Sequence, residues 1–368
     1  MFDYYSAYVS CFLAAIFLST RSKLSLRMQF LLGLSLLSFV GLRFATTDYF
    51  NYFDMYKRTE DFSQLGLLYH HNATSRPIES LFSFIILSFK GAAYPFEAFI
   101  FFAATLSLCL KFFSFQKMST SFALSVLLYV GTHVFMDLEQ IRAGLAAGFV
   151  LIALLMVHRK QPILFCLFIF LAAQTHLLSL ALFPLYPLIR FERERITTTI
   201  FVLSLSFLFF LDGTLVARTL LVEVLRLPPT FQPLIYLQNP TEFGRNLFGG
   251  SMFFLLAIAS LAIIFRPSLE AANSYNRTLV PAFLYTLALS FVLFDFGIVS
   301  NRMIQLICIP TACVFLPSFV PATIRRDRPL VLGALCVFAF LTFYVNVCIL
   351  DESYQSIVYL SAETKSLR

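Results

Sequence analysis

Charge is scarce in this sequence: Asp, Glu, Lys and Arg make up 13% of it against 59% hydrophobic residues, where a soluble domain carries about 25% charged residues. A water-soluble fold cannot hide that much apolar surface, so soluble enzymes and binding modules are excluded. Tryptophan is absent, which leaves tyrosine as the polar ring for stacking on sugars. Closely spaced cysteines are also lacking. Cys11, Cys109, Cys166, Cys308, Cys313, Cys336 and Cys348 all fall in apolar stretches and read as small hydrophobes rather than zinc or redox ligands. No Walker loop, dinucleotide fingerprint or Gly-x-Ser-x-Gly elbow occurs, and His70 and His71 are adjacent rather than one helical turn apart. No metal and no cofactor is implied, so the chemistry falls to arginine, carboxylate and histidine. A cleavable leader is not expected, because the apolar run 4–18 is followed by Arg21, Lys23 and Arg27 without a small-residue cleavage pattern.

What the chain has in abundance is apolar runs rich in Phe, Leu and Ile. A bilayer core about 30 Å thick takes roughly 20 helical residues per crossing. The sequence predicts a single all-α domain over 1–368 with about twelve crossings, near 4–19, 28–42, 96–113, 119–136, 140–157, 161–175, 177–190, 197–211, 251–265, 278–296, 303–320 and 329–350. The run Ile78 to Phe89 is too short to span and is expected to be half-inserted or interfacial. With that parity one set of loops, including Arg21, Lys111, Lys117, Arg159, Lys160, Arg190 and Arg325 to Arg328, holds 15 basic and 4 acidic residues, while the other side holds 12 and 16. The positive-inside rule makes the first set cytoplasmic. The net charge of +7 reflects topology, not nucleic-acid binding, since the cations are scattered in short loops. The long outer segments are 43–79 and 212–250. In the second, Thr219, Glu223 and Arg226 recur at helical spacing opposite leucines, the pattern of a surface helix or of an ordinary solvated one.

Ionisable groups within apolar segments are disfavoured there and usually face a cavity. Four outer clusters carry them. Arg43 is followed by Asp48, Tyr49, Asn51, Tyr52, Asp54 and Tyr56, a carboxylate among rings suited to sugars, or else an aromatic interface belt capped by Asp48. His133, Asp137, Glu139, Gln140 and Arg142 precede Gly144 and Gly148, glycines that let a neighbouring helix approach. Arg142 either forks onto a phosphate or pairs with Glu139 three residues away. His176, with Gln174, Thr175 and Ser179, is a base or a helix-end residue. Asp295, Ser300, Asn301 and Arg302 either place another arginine at an outer helix start or clamp a loop.

The order of these motifs resembles the EpsG-like branch of the Wzy polysaccharide polymerases. The resemblance rests on Arg43 with Asp48-Tyr49-Phe50-Asn51-Tyr52, on Arg76-Pro77-Ile78-Glu79, on Glu139-Gln140-Ile141-Arg142-Ala143-Gly144, on His158-Arg159-Lys160 and on Gln174-Thr175-His176, with Asn301-Arg302 further along. Thr47 stands where the family often has glycine, and Pro77 departs from the usual glutamate-proline-glycine. The resemblance implies a membrane fold of the GT-C glycosyltransferase type in the inner (plasma) membrane, with its site facing the periplasm or cell exterior. It implies transfer of a growing glycan from undecaprenyl pyrophosphate to the non-reducing end of a new lipid-linked repeat. A flippase and a chain-length regulator are the implied partners. His176 and Asp48 are then the candidate bases, Arg142 and Arg302 the pyrophosphate ligands, and Arg43 a further ligand or a structural residue. Tyr49, Tyr52, Gln140 and Asn301 are candidate substrate contacts. An O-antigen-ligase-like transferase and a glycolipid flippase are the competing readings.

Overall fold

The computed structural model describes residues 9–10, 13, 25–44, 48–59, 79–190, 196–210, 250–293, 297–349 and 355–356. Most of the 4–19 crossing, the 219–226 surface helix, His70, His71, Arg76 and Asp295 lie outside the described residues. The described chain is helical apart from a two-residue antiparallel pairing of Arg43–Phe44 with Gln355–Ser356. Three helices are long and apolar enough to cross a membrane, Phe96–Met118, Ile141–His158 and Val299–Ala322, and Phe254–Ile264 with Arg266–Ala272, bent by 76°, forms a fourth candidate. Large apolar side chains cover the outside, among them Phe30 at 68% and Ile163 at 82% exposure, which is the surface that lipid solvates. Along the helices, the hydroxyls of Ser88, Thr105, Ser114 and Thr132 each donate to the carbonyl one turn earlier, so none of the four needs water.

Several expected crossings are shorter than a bilayer. The segment 119–136 contains an 11-residue helix, Phe122–Thr132, and a 5-residue one, Val134–Leu138. Segment 161–190 is a 12-residue helix, Pro162–Ala173, then a 3-10 turn over Leu177–Leu182 and a short helix Leu185–Arg190. At 1.5 Å per residue, 12 helical residues reach about 18 Å, against a core of about 30 Å. The polar breaks at His133 and at Gln174-Thr175-His176 stop these helices. The half-inserted segment is likewise a 12-residue helix, Ser80–Gly91, with Phe82, Ile85, Ile86 and Leu87 buried.

The helix ends expected to be cytoplasmic meet on one face. Gln29 lies 3.5 Å from Gln116, Asn273 donates to the Met118 carbonyl at 2.6 Å, and the His158 and Tyr275 rings are 4.2 Å apart. The Ile141–His158 helix ends where Lys160 takes a positive φ of 61° and Pro162 opens the next helix. Lys111 departs from expectation: it is not in a loop but fully buried within the Phe96–Met118 helix. Counting from the basic face, Arg142 sits about 24 Å up its helix while Phe96 sits about 33 Å up the longest one. The two helices pack side by side, so by helix rise the Arg142 turn stands roughly 10 Å short of the Phe96 end, and the step between them is the recess.

Glycine sets two of the closest approaches. A Cβ on Gly148 would lie 3.0 Å from Leu110 Cβ, the neighbour approach expected of it, whereas one on Gly144 would strike Asp137 Oδ1 at 2.4 Å. Gly131 is tighter against backbone, with the Ala339 carbonyl oxygen 2.4 Å from such a Cβ. Gly131→Ala is expected to push the 328–349 helix off its neighbour and cost about 1–3 kcal/mol, read as a lower unfolding midpoint in detergent. Gly333→Ala, which meets nothing within 4 Å, should be neutral or slightly stabilising.

Candidate functional site

The recess is built where three chain reversals meet. Glu79 precedes the Ser80–Gly91 helix, Arg142 is in the first turn of Ile141–His158, and His176 ends the break before the 3-10 turn. The Gln174 carbonyl accepts from the amides of Leu81 and Phe82 at 3.1 and 3.3 Å, stitching the first of these starts to the third. Glu79 then ties all three together. Its Oε2 accepts from Arg142 Nη1 at 2.6 Å and its Oε1 from the Leu177 amide at 3.4 Å. The alternative pairing of Arg142 with Glu139 does not form. Glu139 is half-buried, and its carboxyl is held above the ordinary range by burial and then by the nearby charge of Asp48. Sequence spacing pointed to the nearer carboxylate because i, i+3 pairs share a helix face, but Glu139 caps the previous helix and lies off that face.

Tyr52 closes the recess from above. Its hydroxyl sits against the Arg142 guanidinium, and burial raises its pKa while the charge of Arg142 opposes the rise. His176 is 7% exposed. It stands within electrostatic reach of both Arg142 and Arg302. Among the described residues His176 Nδ1, the Ser179 hydroxyl and Arg142 Nε are buried without a hydrogen-bond partner. Buried polar atoms are normally satisfied, and these three are not satisfied by any protein group.

The other candidates are placed less centrally. Asp48, which precedes the Tyr49–Arg58 helix, accepts from Asn51 Nδ2 at 3.0 Å and acts on Tyr52 and Glu139, which puts it at the rim. No contact links it to His176. Tyr49, Tyr52 and Tyr56 are all buried. The Tyr49 ring packs edge-on to Phe96 at 5.1 Å, Tyr52 lies against Phe82 at 5.8 Å, and the Tyr56 hydroxyl donates to the Tyr94 carbonyl at 2.7 Å. The three rings thus pack against Phe96, Phe82 and Phe99 in the core. Arg43 is fully buried and donates to the carbonyls of Val40 and Asp137, which makes it part of the frame under the recess. Gln140 is half-buried one turn from Gly144, whose amide it accepts. Asn301 is exposed beside the half-buried Arg302, and a π-helical turn, Ile304–Cys308, follows directly. Such turns occur often at functional sites.

Two features were not read from the sequence as partners. Glu79 was visible only as part of a motif. Asp137 was visible only as one of a string of polar residues, and its partner Lys111 looked like a loop cation. Among the described residues no group of three or more His, Cys, Asp or Glu is arranged to hold a metal ion.

Neither the curated proteins nor the solved structures gave a match. A protein-family model described as the EpsG family matches residues 26–361, a span that contains every residue of the recess. The chain belongs to the EpsG family.

Proposed function

We propose that the protein is a polysaccharide polymerase of the glycosyltransferase kind, joining oligosaccharide repeats carried on undecaprenyl pyrophosphate. Family membership supports the polymerase-like function. The observation that carries the finer reading is the convergence of Arg142, Glu79, Tyr52, His176 and Arg302 on one recess with three unpartnered polar atoms. In the proposed step a hydroxyl of the acceptor sugar attacks the anomeric carbon of the donor glycan, and the bond from that carbon to the pyrophosphate oxygen breaks. The hydroxyl proton passes to His176. The pyrophosphate leaves with its bonding electron pair, and the guanidinium groups of Arg142 and Arg302 stabilise the charge it gains. Ser179 offers a further hydroxyl to the same oxygens, and Asp48 at the rim is placed to orient the acceptor rather than to take its proton.

The positive-inside rule assigns the basic face to the cytoplasm, so the recess opens toward the outer leaflet of the plasma membrane. Its depth fits a ligand whose head group sits just inside the lipid boundary. About twelve crossings and a GT-C-like arrangement belong to the same proposal, as do a flippase that delivers the repeats and a chain-length regulator. A transporter reading would use the mid-depth Lys111 and Asp137 as its ion site, yet their side chains are 0% and 1% exposed and paired with each other. The test is the saccharide ladder of cells lacking the protein. Single capped repeats are expected. Full-length polymer that fails to reach its final acceptor would indicate a ligase, and repeats retained in the inner leaflet a flippase.

A further inference from the structure

Five residues before Arg142, a buried ion pair sits under the recess. Lys111 Nζ lies 2.5 Å from Asp137 Oδ2, with both side chains out of contact with solvent. The same Oδ2 accepts from the Tyr129 hydroxyl at 2.5 Å, and Oδ1 accepts from Ser107 at 2.5 Å, while Lys111 also reaches Ser107 at 3.0 Å. The Asp137 carbonyl takes the Arg43 guanidinium, and Gly144 has no Cβ because Asp137 Oδ1 occupies that place. Asp137 is thereby held from the Phe96–Met118 helix, the Phe122–Thr132 helix, Arg43 and the first turn of the Arg142 helix. Charges are disfavoured at this depth, and a well-packed neutral substitute for a buried ion pair is often as stable. Stability alone therefore does not account for the pair.

We infer that the Lys111–Asp137 pair is a positioning device: it sets the height and direction in which the Arg142 helix starts, and so the geometry of Arg142 with Glu79 and His176. This rests on the reading of the recess as the transfer site. Direction matters because the 139–140 break has no side-chain cap of its own, and neither Glu139 nor Gln140 bonds the helix start through its side chain. The anchor comes from Asp137 instead, whose five contacts fix the last turn before the break.

The experiment compares Lys111→Met, Asp137→Asn and the double variant in the full chain, in membranes. Each single variant leaves an uncompensated partner and should lose abundance; the double variant removes both charges and should regain it. With abundance restored, turnover per molecule is expected to stay about 10- to 100-fold low, the scale of loss when reacting groups shift by about 1 Å. A double variant with both abundance and turnover at the parent level overturns the proposal. A second readout does not depend on the reaction. Spin labels at Glu139 and at exposed Tyr94, in a background without native cysteines, should show a shifted or broadened distance distribution in the double variant. An unchanged distribution overturns the positioning role. If Arg142→Lys makes normal polymer, the reading of the recess as the transfer site fails, and the distance distribution alone decides.

Discussion

Arg142→Lys should leave the protein folded and inserted at parental abundance while cutting polymer formation by about 100-fold or more, the loss typical of removing one preorganised donor from a developing anion. Lysine can keep the ion pair. Glu79 Oε2 takes a single contact from Nη1 at 2.6 Å, and an ammonium can replace one such bond. What lysine cannot supply is the planar fork that presents a second edge to a phosphate while the first edge stays on Glu79. The unpartnered Nε belongs to that second edge. A structural role predicts the reverse outcome, near-normal polymer from the lysine variant and loss only where protein also disappears from the membrane. Turnover per inserted molecule, from quantified membranes and a defined lipid-linked repeat, separates the two.

The membrane character and the main cast of the recess were legible in the sequence because both follow from local signals. Apolar runs set the compartment, and an arginine or histidine beside such a run is conspicuous wherever its partner lies. The gathering of the helix ends was legible too, through the loop cations: Gln29 meets Gln116 and His158 meets Tyr275 on one face. Depth was not legible. A 12-residue apolar helix with a polar break, such as Pro162–Ala173, has the hydropathy of a crossing once its neighbour is added, and only the structure shows where the helix stops. Long-range pairing was hidden too. Arg142 and Glu79 are 63 residues apart, and Lys111 and Asp137 are 26 apart. Spacing rules reach one helical turn, so they assigned Glu139 to Arg142 and sent Lys111 to a loop. The tyrosines show a third limit, because the same residues that suit a sugar also suit a core of rings, and contact with Phe82 and Phe96 decides between the two.

Glu79 offers the sharpest separation between charge and geometry. Glu79→Gln removes the negative charge from a pair whose side chains are 19% and 11% exposed, and a buried pair broken on one side costs up to about 3–5 kcal/mol. The open recess screens part of that. The variant is expected to be destabilised by about 1–3 kcal/mol and to make little polymer, a combination that charge loss alone explains. Glu79→Asp is the informative partner. It keeps the charge but shortens the side chain by about 1.5 Å, so one carboxylate can no longer reach both Arg142 and the Leu177 amide. If Glu79 only balances charge, the aspartate variant should behave like the parent. If Glu79 positions Arg142 against His176, abundance should be near normal while turnover falls about tenfold or more. Glu139→Gln, on the neighbouring carboxylate that faces Asp48 instead, should then change turnover little. Equal losses from Glu139→Gln and Glu79→Asp would mean that the carboxylates act through the general field of the recess, and the specific tie from Glu79 to Arg142 would have no catalytic consequence.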